Sequence, residues 1–316
     1  MRQKKGHRPM IGLLLSALAL VLNPPPRDVL AQPLRGIMNA ACTLNVTPAD
    51  DLHRLVKELP EGAVLCLAPG VYPVRLWIEK SITIRGAGPD HVIIDAEKER
   101  PAISIENNGD AVVTIEALTL RNGRGSASQG GGLNVGRSRT VTVRNVRFEG
   151  GNGEPGGAAK IAEGHAVFNH CVMTGNKGKL ATALFVYNAA SAELHQCLIA
   201  DNVGRAPAVT ASWQGKITLD RCTILQADGA ALRAVGTGVQ APTIVAQGCI
   251  LSGPPVEILR GGFPQPKVIL EHNLLAAKPA GDGLVEKDNV IDAPALDADH
   301  RPLAGSASEG FGHGGN

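Results

Sequence analysis

The sequence predicts an all-β fold, a single-stranded right-handed parallel β-helix of about eight coils with a short N-terminal capping helix. Three observations carry this. The 316 residues hold 38 Gly and 21 Pro but only 5 Phe, 2 Tyr and 2 Trp, so aliphatic side chains must fill the core between many turns. One eight-residue pattern recurs without gaps at 113–120, 141–148, 166–173, 192–199, 217–224, 244–251 and 268–275. A second short strand pattern follows about ten residues after most copies, at 132–135, 158–161, 183–186, 208–211 and 231–234.

The chain begins with Arg2, Lys4, Lys5 and Arg8, an apolar run over 10–22, and a Pro-rich stretch ending Val29-Leu30-Ala31. Residues 1–31 therefore read as a signal peptide. Thirteen apolar residues are too few for a membrane-crossing helix, which needs ~20. The small or branched residues before Gln32 suit peptidase cleavage there; a lipoprotein cut before Cys42 is the lesser alternative. Localisation is thus expected to be secreted, periplasmic or at the cell surface, with no transmembrane helix in the mature chain.

Cleavage removes five cations and one anion, which takes the formal charge from +2 to −2. The remaining Lys and Arg are scattered, which excludes nucleic acid as a partner.

Residues 32–60 read as a linker and the capping helix. Leu52, Leu55, Val56 and Leu59 fall at i, i+3, i+4 and i+7, and Thr47 or Asp50 is placed to cap the helix. An open β-helix exposes strand edges and core at each pole, so a helix here closes the first coil.

Residues 61–276 form the β-helix. The sixth positions of the repeat are Leu118, Val146, Cys171, Cys197, Cys222, Cys249 and Asn273, separated by 28, 25, 26, 25, 27 and 24 residues. Positions one and three alternate as a strand does, then the phase slips by one residue, which predicts a bend between two short strands. Position eight is apolar in all seven copies and must face a shared interior. Residues 277–316, rich in Gly, Ala, Asp and Pro, are expected to cover the distal pole loosely as a capping segment and flexible tail.

The six cysteines fall into two classes. Cys42 and Cys66 flank the capping helix and are the disulfide candidate. Cys171, Cys197, Cys222 and Cys249 share one ladder position and read as a buried stack. The ~4.8 Å strand spacing exceeds the ~3.8 Å that Cβ atoms of a disulfide prefer. Zinc would need thiols converging from different directions, so no metal is expected.

The segments Leu67-Ala-Pro-Gly-Val-Tyr72 and Ser81-Ile-Thr-Ile-Arg-Gly-Ala-Gly88 resemble the first coil of secreted bacterial proteins of the pectin-lyase-like superfamily. Gly130-Gly-Gly-Leu133 and Gly156-Gly-Ala-Ala159, alternating with Met173-Thr-Gly-Asn176 and Ile199-Ala-Asp-Asn202, are similar to repeats of polymorphic outer-membrane proteins. Residues 297–306 resemble the terminal segment of repeat proteins that carry an exported-protein anchor region. The resemblance implies fold rather than activity. Lyases of the superfamily use a carboxylate cluster for Ca²⁺, or a Lys or Arg base, on an outer strand face. The outward positions beside the apolar ladder hold no acidic cluster, so no cofactor is expected and Ca²⁺ enters only with an enzymatic reading. Gly312-His-Gly314 is similar to the Gly-His-Gly of polygalacturonases but lacks their paired aspartates, and reads as part of a Gly-rich terminus.

On the second strand row, Asn134, Lys160, Phe185, Thr210 and Arg233 are expected to point outward, with Tyr187 and Trp213 close by. Aromatic faces beside hydrogen-bonding side chains suit sugar rings. Lys160, Phe185, Tyr187, Trp213 and Arg233 are the carbohydrate-binding candidates. Lys160, with His165 or His170, is the candidate general base. His195 and His272 read as members of a polar outer ladder, and Asp297 and Asp299 as a turn. The sequence therefore predicts an exported, noncatalytic repeat protein presenting an extended face to a polysaccharide or cell-surface glycan. The alternative is a polysaccharide lyase, hydrolase or epimerase using Lys160; an oligomeric shaft or passenger domain is a third reading.

Overall fold

The structure is a computed structural model and describes residues 41–107, 109–236, 240–261 and 264–314. The signal-peptide segment 1–31 and the first part of the linker lie outside the described residues. Each coil of the right-handed solenoid passes through two sheets, and every ladder between named strands is parallel. The first sheet has 19 strands; the second has eight, from Leu76–Ile78 to Val256–Arg260.

The phase slip seen in the repeat has a single cause. Position five is Ala117, Asn145, His170, Gln196, Arg221, Gly248 and His272, and all seven take positive φ, between 48° and 62°. A left-handed residue at this corner of each coil bends the chain sharply between two strands and restores the inward phase at position six. Strand Thr140–Glu149 shows it: Val141, Val143, Val146 and Phe148 are all buried, with Asn145 at the corner.

The core is a column of Val, Ile, Leu and Ala with few aromatics, of which Phe148 and Phe168 are fully buried, their ring centroids 6.2 Å apart. The four ladder cysteines are buried and unbridged. Each thiol approaches a main-chain carbonyl of the preceding coil, Cys171 at Val143, Cys197 at Phe168, Cys222 at Leu194 and Cys249 at Leu219, over 3.3 to 3.7 Å. Asn273, next in the row, donates its amide to Ala246 O at 2.9 Å. The cysteines are thus weak donors in a polar row that ends in asparagine, and more than small apolar fillers. Burial pushes the Cys197, Cys222 and Cys249 thiols well above the usual range, so they stay neutral.

At the N-terminal pole, helix α1 (Leu52–Glu58) lays Leu52 and Val56 on the core. Its N-cap is Asp51, which accepts from Arg54 N at 3.0 Å, and not Thr47 or Asp50. Those two residues close the preceding turn instead, with Thr47 N and Oγ1 both donating to Asp50 at 2.8 Å. Cys42 and Cys66 are disulfide-bonded, with Cα atoms 5.7 Å apart, and tie the first strand to the next.

The C-terminal pole ends on strands Leu284–Lys287 and Val290–Ile291, which are largely exposed. Glu286 sits in register with buried Leu270, so a carboxylate occupies the inward position of the last rung. The tail departs from the expected loose cover over this pole: it returns along the side of the rod, where His313 N donates to Thr223 Oγ1 at 3.1 Å.

Candidate functional site

The strand register makes the outward positions of the second sheet one continuous row. It runs from Trp77 through Ser104, Asn134, Lys160, Phe185, Thr210 and Arg233 to Glu257. Of the sequence-derived candidates Lys160, Phe185 and Arg233 lie on it, Tyr187 and Trp213 do not, and access differs along it. Lys160 and Phe185 are only 6% and 7% exposed. The glycine-rich segments preceding each strand fold flat over them: a Cβ on Gly130 would come within 2.7 Å of Lys160 N, and one on Gly156 within 3.1 Å of Phe185 N. Only glycine lets the backbone approach this closely.

Under that cover Lys160 Nζ lies 5.5 Å from the centre of the Tyr187 ring, and Tyr187 lies 5.4 Å from Phe185. Burial pushes the Lys160 ammonium below its ordinary value, against the opposing pull of Glu106 and Glu163. The structure thus joins Lys160, Phe185 and Tyr187. Arg233 is engaged elsewhere, 2.7 Å from Glu257. Trp213 stands on a turn, 55% exposed, with no ring contact to Tyr187 among the described residues.

The accessible part of this face lies nearer the N-terminus. A groove of about 470 Å³ is lined by Arg75, Trp77, Glu99, Arg100, Ser104 and Gln129. It shares Glu99, Arg100 and Gln129 with a second of about 500 Å³, which shares Arg124 and Glu154 with a third of about 330 Å³ reaching Lys177 and Lys179. The three therefore run on from one another across successive coils.

One wall is a minor ladder, Arg124 to Asn152 to Lys177, with Arg124 N donating to Arg100 O at 2.8 Å. Of the groove carboxylates, Glu99 is paired with Arg75 at 2.6 Å and Glu154 with Lys179, while Glu97 is exposed with no ion pair among the described residues. Asp95 is held by Arg121 and Asn122, and those contacts with the Glu97 amide keep its carboxyl below the usual range despite burial. Arg100, Arg124 and Lys177 have no ion-pair partner among the described residues.

Trp77, 44% exposed at the end of the row, was missed by sequence reasoning. The alternation Leu76-Trp77-Ile78, with both neighbours buried, was the signal that could have found it.

Outside the groove, the first sheet carries an open polar array. His165 Nδ1 lies 2.8 Å from Ser191 Oγ, and Glu193 lies 3.7 Å from His165 and 3.4 Å from His195, which reaches Asp220 at 3.5 Å. His272 pairs with Asp288 at 3.4 Å. Among the described residues no group of three or more His, Cys, Asp or Glu side chains is placed to hold a metal ion. Calcium in particular does not fit the second-sheet row, whose one carboxylate, Glu257, is bound to Arg233.

Fold and face together define a right-handed parallel β-helix protein with a pectin-lyase-like architecture. The chain belongs to the family described as "Right handed beta helix region", which matches residues 96–267, more than half of its length. No curated protein matches it in sequence. Among solved structures it is similar to a pectin methylesterase from carrot, with TM-score 0.58 and 14% identity over 81% of this chain and 90% of that one. It also matches the pectate lyase Pel9A, with TM-score 0.46 and 13% identity over 87% and 93% of the two chains. At 14% identity the likeness to the carrot enzyme is one of fold.

Proposed function

We propose that this is an exported, noncatalytic β-helix protein that presents an extended carbohydrate-binding surface, and that the groove from Trp77 to Lys179 takes an acidic polysaccharide lying along the rod. The observation that carries the reading is the continuity of that groove, with an exposed indole at one end and the unpaired cations Arg100, Arg124 and Lys177 along it, Asn152 standing on the rung between the last two. An aromatic face stacks on the apolar side of a sugar ring. Cations spaced by one or two coil rises of ~4.8 Å suit carboxylates repeated along a polymer, each an exposed and salt-sensitive contact.

The noncatalytic reading is supported by the cover over Lys160 and by the pairing of Glu99 and Glu154, the carboxylates shared between adjoining grooves. Export is supported by the leader-like N-terminus and by the Cys42–Cys66 bridge, a bond of oxidising compartments.

The test is calorimetric binding of the mature chain to uronate and neutral polymers, with unsaturated-product absorbance monitored in parallel. Trp77→Ala and the pair Arg124→Ala/Lys177→Ala should each weaken uronate binding at least tenfold, and added salt should do the same. Trp213→Ala reports whether the exposed turn extends the site. Equal binding by the groove variants would sink the reading, and turnover lost in Lys160→Ala would replace it with the enzymatic one.

A further inference from the structure

Residues 295–314 lie along the flank of the rod, where the outward row of the first sheet is buried. Thr223, Ile250 and Leu274 point out of the first sheet yet are fully buried, whereas Leu198 and Val172, earlier in the same row, are half-buried. The seat is close-fitting. Gly312 N donates to Gly248 O at 2.8 Å and His313 N to Thr223 Oγ1 at 3.1 Å. A Cβ on Gly312 would fall 2.3 Å from Thr223 Oγ1 and 2.8 Å from Ile250 Cδ1, and the residue has φ +71°. Nearer the start of the segment, His300 Nε2 reaches Asp201 on the shaft at 3.1 Å. The segment also ties itself together, through Asp297 accepting from Arg301 N and Ser308 accepting from Ala295 N. One polar atom in the seat is left over: His313 Nδ1 is buried with no hydrogen-bond partner.

We propose that residues 295–314 are an acid-released strap, closed while His313 is neutral and opened at its Gly312–His313 end when that imidazole takes up a proton. A neutral imidazole can leave one ring nitrogen unpaired as an acceptor; an imidazolium carries a donor and a charge on both. Burial disfavours the proton, as do the Arg301 and His300 charges, while a hydrogen bond to the Asp299 main chain and the Asp297 carboxylate favour it, and the net effect lowers the affinity of His313 for a proton. The shaft residues it sits on, Thr223 and Ile250, are uncharged. Arg221, beside Gly248, is paired with Asp220.

The sign follows directly. A group that binds its proton less readily in the closed state stabilises closure above its open-state pKa and ceases to do so as pH falls through the closed-state value. The His300–Asp201 contact does not involve His313, so the segment swings open from its Gly312–His313 end and remains tethered at the other. What it uncovers is the part of the outward row formed by Thr223 and Ile250.

The test is amide hydrogen exchange of the intact mature chain at pH 7.5 and pH 5, corrected for intrinsic rates, with the His313 imidazole titration followed by NMR. Protection at Gly312 and His313 should fall at least tenfold in acid while the shaft strands are unchanged, and the midpoint should coincide with the His313 titration. Gly312→Ala should show the open signature at both pH values. Protection equal at both pH values, or lost at a midpoint other than that of His313, overturns the proposal.

Discussion

The two poles of the rod face one problem and resolve it differently. At the N-terminal end a helix lays Leu52 and Val56 over the first coil and a disulfide fastens that coil to the next. At the C-terminal end nothing apolar is laid over the last rung among the described residues. The rung carries a carboxylate, Glu286, at the inward position above Leu270 and leaves its strands in water. The first device adds buried area and a covalent tie; the second adds no packing and makes further stacking unfavourable. Stability is therefore concentrated at one end and protection against association at the other.

Breaking the covalent tie has the largest expected effect. Replacing Cys42 and Cys66 by Ser frees a loop with a sequence separation of 24 and should cost about 3 kcal/mol, seen as a lower denaturation midpoint. A midpoint unchanged by this double substitution would show that the helix alone closes the pole.

The opposite pole should answer in a different observable. Glu286→Val makes the inward position apolar, and the variant should run at a larger mass than the parent in light scattering as concentration rises, with little change in melting temperature. If its mass stays that of the parent, the carboxylate is not what guards this end.

The smallest effect comes from mid-rod and calibrates the other two. The hydrogen bond to Glu193, helped by Asp220, raises the proton affinity of His195 against the pull of burial, while His195 holds Glu193 below the usual carboxylate range. The His195 contribution is present in full below about pH 6.5 and is lost as pH rises through its folded pKa; that of Glu193 is lost in acid. His195→Gln should therefore erase a gain of about 1–2 °C between pH 8 and pH 6 without touching the signature of either pole.

The coil was legible in the sequence because each residue of a strand faces either a shared interior or the outside, which imprints alternation, and because a left-handed residue at the same corner of each coil shifts that alternation by one. His170 and Asn145 occupy the same corner for this reason although their side chains share little. The cysteine row was legible as a stack, though its donor role was not, since a carbonyl of the preceding coil leaves no mark on composition.

Access was the hardest property to read. Alternation correctly turned Lys160 and Phe185 outward but says nothing of the segment that folds over them. Trp77 sits in the first coil, ahead of the seven repeats that drew attention. Asp50 and Asp51 are adjacent oxygen-bearing residues, so the cap was displaced by one position. Gly312, read as part of an unstructured Gly-rich end, proves to be the one residue type its seat accommodates.

The stretch linking each eight-residue repeat to the following second-sheet strand is 12, 10, 10, 9, 7 and 4 residues long from 121–132 to 252–255. The grooves are bounded by the longer members of that series, and the bank dwindles toward the far end as the linkers shorten. Since the interior is built from the gapless portion of every turn, lengthening 225–231 or 252–255 would raise a new bank over Arg233 while leaving the scaffold as it is. The molecule keeps its architecture and its recognition surface in separate parts of each repeat, so one can diversify without the other.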